Sequence, residues 1–215
     1  MKRIAIIGSG ALGQQILHMI SSDTKDGVVG FFDDYQSDKA VINGVKVLGG
    51  TKDILSFYEK KTFDFLICGI GYNHLLFRKK LYMRFKNIIP YYTFIHSSAF
   101  IDETANIKEG VVIYPRVVID QNVTIERDTI INLNTTVSHD SIIGNHCFIA
   151  PSVSIAGFVE VGNCCNIGIG TIIIDNINIF DNIQLGGGAL VIKNINESGI
   201  YVGSPAKKIR NNDTI

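Results

Sequence analysis

The chain has 215 residues, with 20 basic and 20 acidic side chains and a formal charge of zero. That balance, with no dense Lys/Arg run, argues against a nucleic-acid partner, and the length suits one large or two small domains. Apolar residues make up 46%, ample for a core, yet no apolar run approaches the ~20 residues of a membrane span.

The first residues, Met1 to Gly8, combine two cations with an apolar run that Gly8-Ser9-Gly10 cuts short. They read as a first strand over Lys2–Ile7 and not as a leader. Gly8-Ser9-Gly10-Ala11-Leu12-Gly13 is a G-x-G-x-x-G turn, and Gln14–Ser21 continues as an apolar-periodic helix. Val28–Phe32 is a second buried strand ending in Asp33-Asp34. Thr51–Lys61 reads as a helix capped by Thr51, and Phe63–Cys68 as a third strand closed by Gly69-Ile70-Gly71. Asn73–Phe85 is an amphipathic, basic helix carrying Arg78, Lys79, Lys80 and Arg84. The β-α-β order implies a small parallel sheet with helices on its faces. The glycine loop alone is ambiguous. It fits a dinucleotide site with Asp33 on a ribose, but a segment of about 90 residues holds only half of such a site. One nucleotide diphosphate cradled at a helix N-terminus is the more economical reading, and a purely structural turn the plain one.

From Ile95 to Val191 the grammar changes. Seventeen consecutive six-residue steps each begin with Ile, Val or Leu, without an insertion, and the position four residues on is always small or β-branched. A hexapeptide period predicts a parallel β-helix. Neither the spacing of an amphipathic helix nor the turn chemistry of hairpins fits it. Three steps complete one coil, so residues 18 apart stack at roughly 4.8 Å. The expected domains are residues 1–92 and 93–215.

That register allows side chains to be paired before any fold is built. His139 falls at a corner, and adding 18 places Gly157 directly against it on the next coil. A histidine beside a bare backbone N–H supplies a general base and an oxyanion donor, the two needs of acyl transfer. Asp140 can orient the imidazole. The plain alternative is a solvated corner histidine. Zinc is disfavoured, because His96, His139 and His146 are not spaced to meet at one corner. Cys68, Cys147, Cys164 and Cys165 lack metal-ligand spacing and read as reduced thiols, with Cys147 and Cys165 stacked inside the coil. Gly186-Gly187-Gly188 permits close approach of an extended ligand, and the tail through Lys207, Lys208 and Arg210 offers charge to a phosphate or is simply solvated.

Several of these motifs occur together: the Gly8–Gly13 loop, Phe31-Phe32-Asp33-Asp34, Ile70-Gly71 with Asn73 and Arg78, His96-Ser97-Ser98-Ala99, Asn132, His139-Asp140, Ile143-Gly144, the triple glycine and Gly203-Ser204-Pro205-Ala206-Lys207. In this order the chain resembles, over essentially its whole length, the PglD/NeuD-type sugar acetyltransferases of the left-handed β-helix acyltransferase superfamily. The resemblance implies a half-Rossmann α/β domain followed by an all-β left-handed parallel β-helix, and a cytoplasmic homotrimer with acetyl-CoA between neighbouring coils. His139, Asp140, Gly157 and Asn132 would be catalytic. Gly8, Ser9, Gly10, Asp33, Asp34, Gly71, Asn73 and Arg78 would hold the substrate, and Gly157, Ile169, Gly187, Lys207 and Lys208 the cofactor. The implied reaction is N-acetylation of a nucleotide-linked (dTDP or UDP) 4-amino-4,6-dideoxyhexose for bacterial surface glycan, with no metal. An O-acetyltransferase acting on a sialic-acid-like sugar and a non-catalytic nucleotide-sugar scaffold are the competing readings. Two positions depart from the pattern: Leu12 and Phe148 stand where relatives often have histidine.

Overall fold

A computed structural model describes residues 1–38 and 40–212. They fall into two compact units, Met1–Gly71 with Lys80–Phe94, and Tyr72–Lys79 with the chain from Ile95 onward.

The first unit is built on β1 (Arg3–Ile7), α1 (Ala11–Asp23), β2 (Gly27–Phe32), β3 (Val41–Ile42), β4 (Val45–Gly49), α2 (Ile54–Glu59) and β5 (Phe65–Cys68). Strand order is β3-β4-β2-β1-β5. β1 pairs in parallel with both β2 and β5, and β2 with β4, while β3 and β4 form an antiparallel hairpin. The hairpin turns on Asn43 and Gly44, both at positive φ (49° and 81°), as a two-residue turn of this type demands. The chemical signal for it is Val41-Ile42-Asn43-Gly44-Val45. β1 is buried on both sides, the reason its sequence is a continuous apolar run instead of an alternation. One side packs on Phe32, Phe63, Leu81, Tyr82, Phe85 and Ile89. The Phe32 ring meets Phe57 and Phe63 edge-on at 5.6 and 5.7 Å. Helix α2 is shorter than expected. Thr51 does not cap it, because its N–H and hydroxyl are both engaged by Asp34 at 2.7 and 2.9 Å.

The basic helix anticipated over Asn73–Phe85 is a 3₁₀ turn (Tyr72–His74) followed by α3 (Leu75–Phe85).

The coil consists of short strands stacked into three parallel faces. The first face contains Val112–Ile113, Ile130–Ile131, Phe148–Ile149 and Asn166–Ile167. The second contains Phe100–Ile101, Val118–Ile119, Thr136–Val137, Ser154–Ile155 and Ile172–Ile173. The third contains Asn106–Ile107, Thr124–Ile125, Ile142–Ile143, Glu160–Val161 and Asn178–Ile179. Every register among these strands is an 18-residue step, for example Thr136 with Ser154, and only toward the C-terminal end does it shorten, to 16 between Ile183 and Gly199. The hexad-leading residues from Ile113 to Val191 are at most 3% exposed and form the core. The companion inward position also holds Thr129, Thr135, Ser141 and Cys147, whose polar hydrogens bond carbonyls 15 residues on at 2.7 to 3.1 Å. A buried hydroxyl so satisfied costs little. Cys165 stacks on Cys147, its N–H 3.4 Å from the sulfur.

Corners repeat too. Arg116, Asn122, Asp128, Asn134, Asp140, His146, Ser152, Phe158 and Cys164, six residues apart, all have φ between 55° and 60°. We call the corners after the first, second and third faces by those numbers.

Candidate active site

His139 lies on the second corner, and Asp140 takes the left-handed position beside it (φ 58°). Asp140 Oδ2 lies 3.0 Å from His139 Nδ1, and the His139 side chain is 41% exposed. With the carboxylate accepting from Nδ1–H, Nε2 is left as the basic nitrogen of a neutral ring. Nε2 has no partner among the described residues. Asn122, 18 residues before Asp140, donates from Nδ2 to Asp140 Oδ1 at 3.0 Å. The bonds from His139 and then Asn122 hold the Asp140 carboxyl below the usual carboxylate range, so it stays ionised at neutral pH.

Gly157 sits where the coil step puts it. A β-carbon there would lie 2.6 Å from His139 Cε1 and 2.8 Å from Nε2, so no larger residue fits over the ring. The Gly157 N–H meets no acceptor among the described residues. Phe158 follows, its ring perpendicular to the imidazole at 5.2 Å. Base, orienting acid and unused amide donor thus share one corner.

The other residues expected in the site are not on it. Asn132, Ile169 and Gly187 occupy the first corner, where a β-carbon on Gly187 would lie 3.1 Å from Ile169 Cγ2. Asn132 is 8% exposed, and its Oδ1 accepts the Leu133 N–H at 2.8 Å. Lys207 and Lys208 lie on the strand Lys207–Arg210, antiparallel to Gly199–Val202. Lys208 pairs with Glu197 at 3.2 Å and Lys207 is exposed. Phe148 is buried, its ring 5.2 Å from Tyr72. Within one chain, then, the second face separates the corner of His139 and Gly157 from the corner of Asn132, Ile169 and Gly187. Two grooves on the coil, one beside Gly144 and Gly162 and one beside Lys193 and Lys207, also leave out His139 and Gly157.

Arg78 requires a correction. Expected to contact substrate, it is fully buried. Its Nε and Nη2 grip Asp128 Oδ2 and Oδ1 at 2.9 and 2.7 Å, and Nη2 also reaches the Asp128 carbonyl at 2.7 Å. His146, one coil beyond Asp128, brings Nδ1 to Oδ2 at 2.9 Å. A guanidinium with no exposed surface and a bidentate carboxylate is a clamp on the third corner. Asp128 and His146 are 18 apart, so register arithmetic could have paired them, as it could have found Asn122 and Phe158. Nothing in the sequence linked them to Arg78.

In the first unit, Gly8 has φ 92°, and a β-carbon on Gly13 would come 2.0 Å from the Gly8 carbonyl oxygen. The last glycine is therefore what lets α1 close on the loop. Gln14 is the first helical donor, to Gly10 at 3.0 Å, which leaves the N–H groups before it for an anion. The β-carbon positions of Gly10 and Gly71 have no atom within 4 Å, so both face open space; Asn73, which counts with the second unit, is exposed. Asp33 Oδ2 accepts the Ser9 N–H and hydroxyl at 2.8 and 2.6 Å, and Oδ1 the Tyr35 N–H at 2.9 Å. Burial alone would raise the Asp33 carboxyl, yet the Ser9 and Tyr35 donors bring it below its ordinary value. Both acids of the strand end brace loops, Asp33 the glycine turn and Asp34 the Thr51 turn.

Comparison with known proteins bears on the whole arrangement. The PglD N-terminal domain family matches residues 3–85, and the GMPPB C-terminal domain family residues 95–202. A solved structure of PerB from Caulobacter crescentus, in complex with CoA and GDP-perosamine, is 26% identical, with a TM-score of 0.88 over 97% of this chain and 98% of that one. The chain carries a PglD N-terminal domain and is similar over nearly its whole length to sugar acetyltransferases of the hexapeptide-repeat superfamily. Its repeat portion also belongs to the GMPPB C-terminal domain family. The acetyltransferase domain of PglB from Neisseria gonorrhoeae FA1090 shares the fold, at 23% identity and a TM-score of 0.89 over 97% of this chain and all of that one. WeeI from Acinetobacter baumannii AYE does so at 23% identity and a TM-score of 0.83, over 97% of this chain and all of that one. For an acyltransferase of this family the second-corner geometry is apt, since a thioester needs a base and an oxyanion donor and no metal step. Among the described residues no group of three or more His, Cys, Asp or Glu side chains is placed to hold a metal ion. No helix among them is long and apolar enough to cross a membrane.

Proposed function

We propose that this acetyltransferase moves the acetyl group of acetyl-CoA onto the amine of a nucleotide-linked 4-amino-4,6-dideoxyhexose, with dTDP or UDP as the nucleotide, in the cytoplasmic synthesis of a bacterial surface glycan. The observation that carries the chemistry is the His139 Nε2 left free beside an unbonded Gly157 N–H, with Nδ1 tied to Asp140. The neutral amine attacks the thioester carbonyl while His139 Nε2 accepts its proton. The oxyanion takes a hydrogen bond from Gly157 N–H. Collapse breaks the C–S bond, and the imidazolium returns a proton to the departing thiolate. The nucleotide rests on the Gly8-Ser9-Gly10 loop, its diphosphate over the first N–H groups of α1. Asp33 and Asp34 shape that loop as much as they contact a ribose. Asn132 helps position the acceptor, and Ile169, Gly187, Lys207 and Lys208 flank CoA.

The active assembly in this reading is a homotrimer. The outward column of the second face carries Phe100, Val118 and Ile172, 59, 40 and 50% exposed. Thr136 and Ser154 interrupt that column between Val118 and Ile172, and apolar side chains so exposed on a rigid coil call for a covering surface. Three copies turned about an axis along that face would cover it with closed symmetry and bring the second corner of one copy against the first corner of the next, completing the site. Related proteins support the ligand classes: the Neisseria domain was crystallised with acetyl coenzyme A, and the Caulobacter enzyme with CoA and GDP-perosamine, including as a histidine-to-alanine variant. The test is a panel of dTDP-, UDP- and GDP-linked 4-amino sugars with acetyl-CoA, followed by mass spectrometry after alkaline treatment. An alkali-stable acetyl group on one of them is expected. An alkali-labile product would mark an O-acetyltransferase, and CoA release with none of them would overturn the reading.

A further inference from the structure

Phe158 is out of character for its place. Elsewhere among non-glycine residues the left-handed corner position is held by Asn or Asp at six places, short polar side chains that tolerate positive φ, and by Arg116, His146, Ser152 and Cys164; Phe158 is the one hydrocarbon side chain in the series. Phe158 adopts φ 57° with a bulky ring that gains little from burial, since it is 53% exposed. It directly follows Gly157 and stands perpendicular to the His139 ring at 5.2 Å. A strained, solvent-facing aromatic at this one point of the coil, beside the free Nε2 and the free amide, is better explained by a ligand than by folding.

We infer that Phe158 is a specificity-determining residue, an apolar wall for the acceptor sugar that favours a ring bearing a methyl group over one bearing a hydroxymethyl group at the same carbon. The inference rests on the amino-sugar reading above and sharpens it. The wall stands beside the base that must reach the amine, so it meets the sugar ring and not the nucleotide. A methyl group against an aromatic loses no hydration, whereas a hydroxyl pressed there without a partner does. Discrimination by such a contact is modest, about 10–100-fold.

The test uses the full-length protein with acetyl-CoA and two acceptors, a nucleotide-linked 4-amino-4,6-dideoxyhexose and its 6-hydroxyl counterpart. Phe158→Asn is the first variant, because Asn suits the left-handed backbone. It is expected to raise Tm, to raise KM for the 6-deoxy acceptor about tenfold with kcat within about twofold, and to erase most of the preference over the 6-hydroxyl sugar. Phe158→Tyr is expected to restore both KM and preference. Unchanged preference in Phe158→Asn, with wild-type turnover intact, would overturn this inference alone. So would a lower Tm or loss of self-association, either of which would mark Phe158 as packing. A wild-type protein that acetylates neither acceptor would overturn the acetyltransferase reading and this inference with it.

Discussion

The coil carries two His–Asp pairs of nearly equal length, His139 with Asp140 at 3.0 Å on the second corner and His146 with Asp128 at 2.9 Å on the third. Distance does not tell them apart. Exposure does: the first pair is 41 and 33% exposed, the second 6 and 0%. What occupies the rest of the carboxylate differs as well. Asp140 takes a neutral donor, Asn122, and leaves its histidine a free nitrogen facing solvent. Asp128 takes the guanidinium of Arg78 and is sealed. In the proposed mechanism the same two residue types make a base where the corner is open, and here a bolt where the Arg78 side chain seals it.

Breaking each pair should separate the two roles. The largest effect is expected for His139→Ala, which should lower kcat by about 10²–10⁴-fold while leaving the Tm and the oligomeric state unchanged, as read by steady-state assay beside thermal melting. Arg78→Met should do the reverse. It strands the Asp128 carboxylate in the interior and should cost about 3–5 kcal/mol of stability, seen as a lower denaturant midpoint, with per-site turnover of the folded fraction little altered. Within the open pair the effects grade downward. Asp140→Asn should lower kcat about 10²-fold by releasing the imidazole tautomer, and Asn122→Ala, which removes only the second hydrogen bond to Asp140, about fivefold.

The smallest effect is an acid-side one in the other unit. The Asp33 carboxyl is depressed in the folded state, so its contribution to stability is complete above the ordinary carboxylate value of about 3.9 and is lost as pH falls through the lower folded value. Asp33→Asn should therefore lower the neutral plateau of Tm slightly and flatten its acid limb, the variant and the wild type converging at low pH. An unchanged acid limb would mean that the Ser9 bonds do not distinguish folded from unfolded chain.

Much of this was legible from residues alone. The hexad column from Ile95 to Val191 gave the three faces, the 18-residue step and the placing of Gly157 against His139. The same arithmetic reaches Asn122 and Phe158 from Asp140. The Gly8–Gly13 turn located the loop, although it said nothing of how fully Asp33 and Asp34 are engaged by Ser9, Tyr35 and Thr51. The resemblance sets Arg78 on the substrate, whereas the partner that buries it, Asp128, lies 50 residues away and is linked to it by neither helix period nor coil register.

The division has a physical cause. Strand direction, inward or outward alternation and coil register depend on neighbours in the chain and on a fixed period, so an unbroken repeat determines them without further knowledge. Whether a polar group meets solvent depends on what the rest of the chain lays over it. Tertiary structure alone decided that Tyr72–Lys79 counts with the coil and that Arg78 is buried against Asp128.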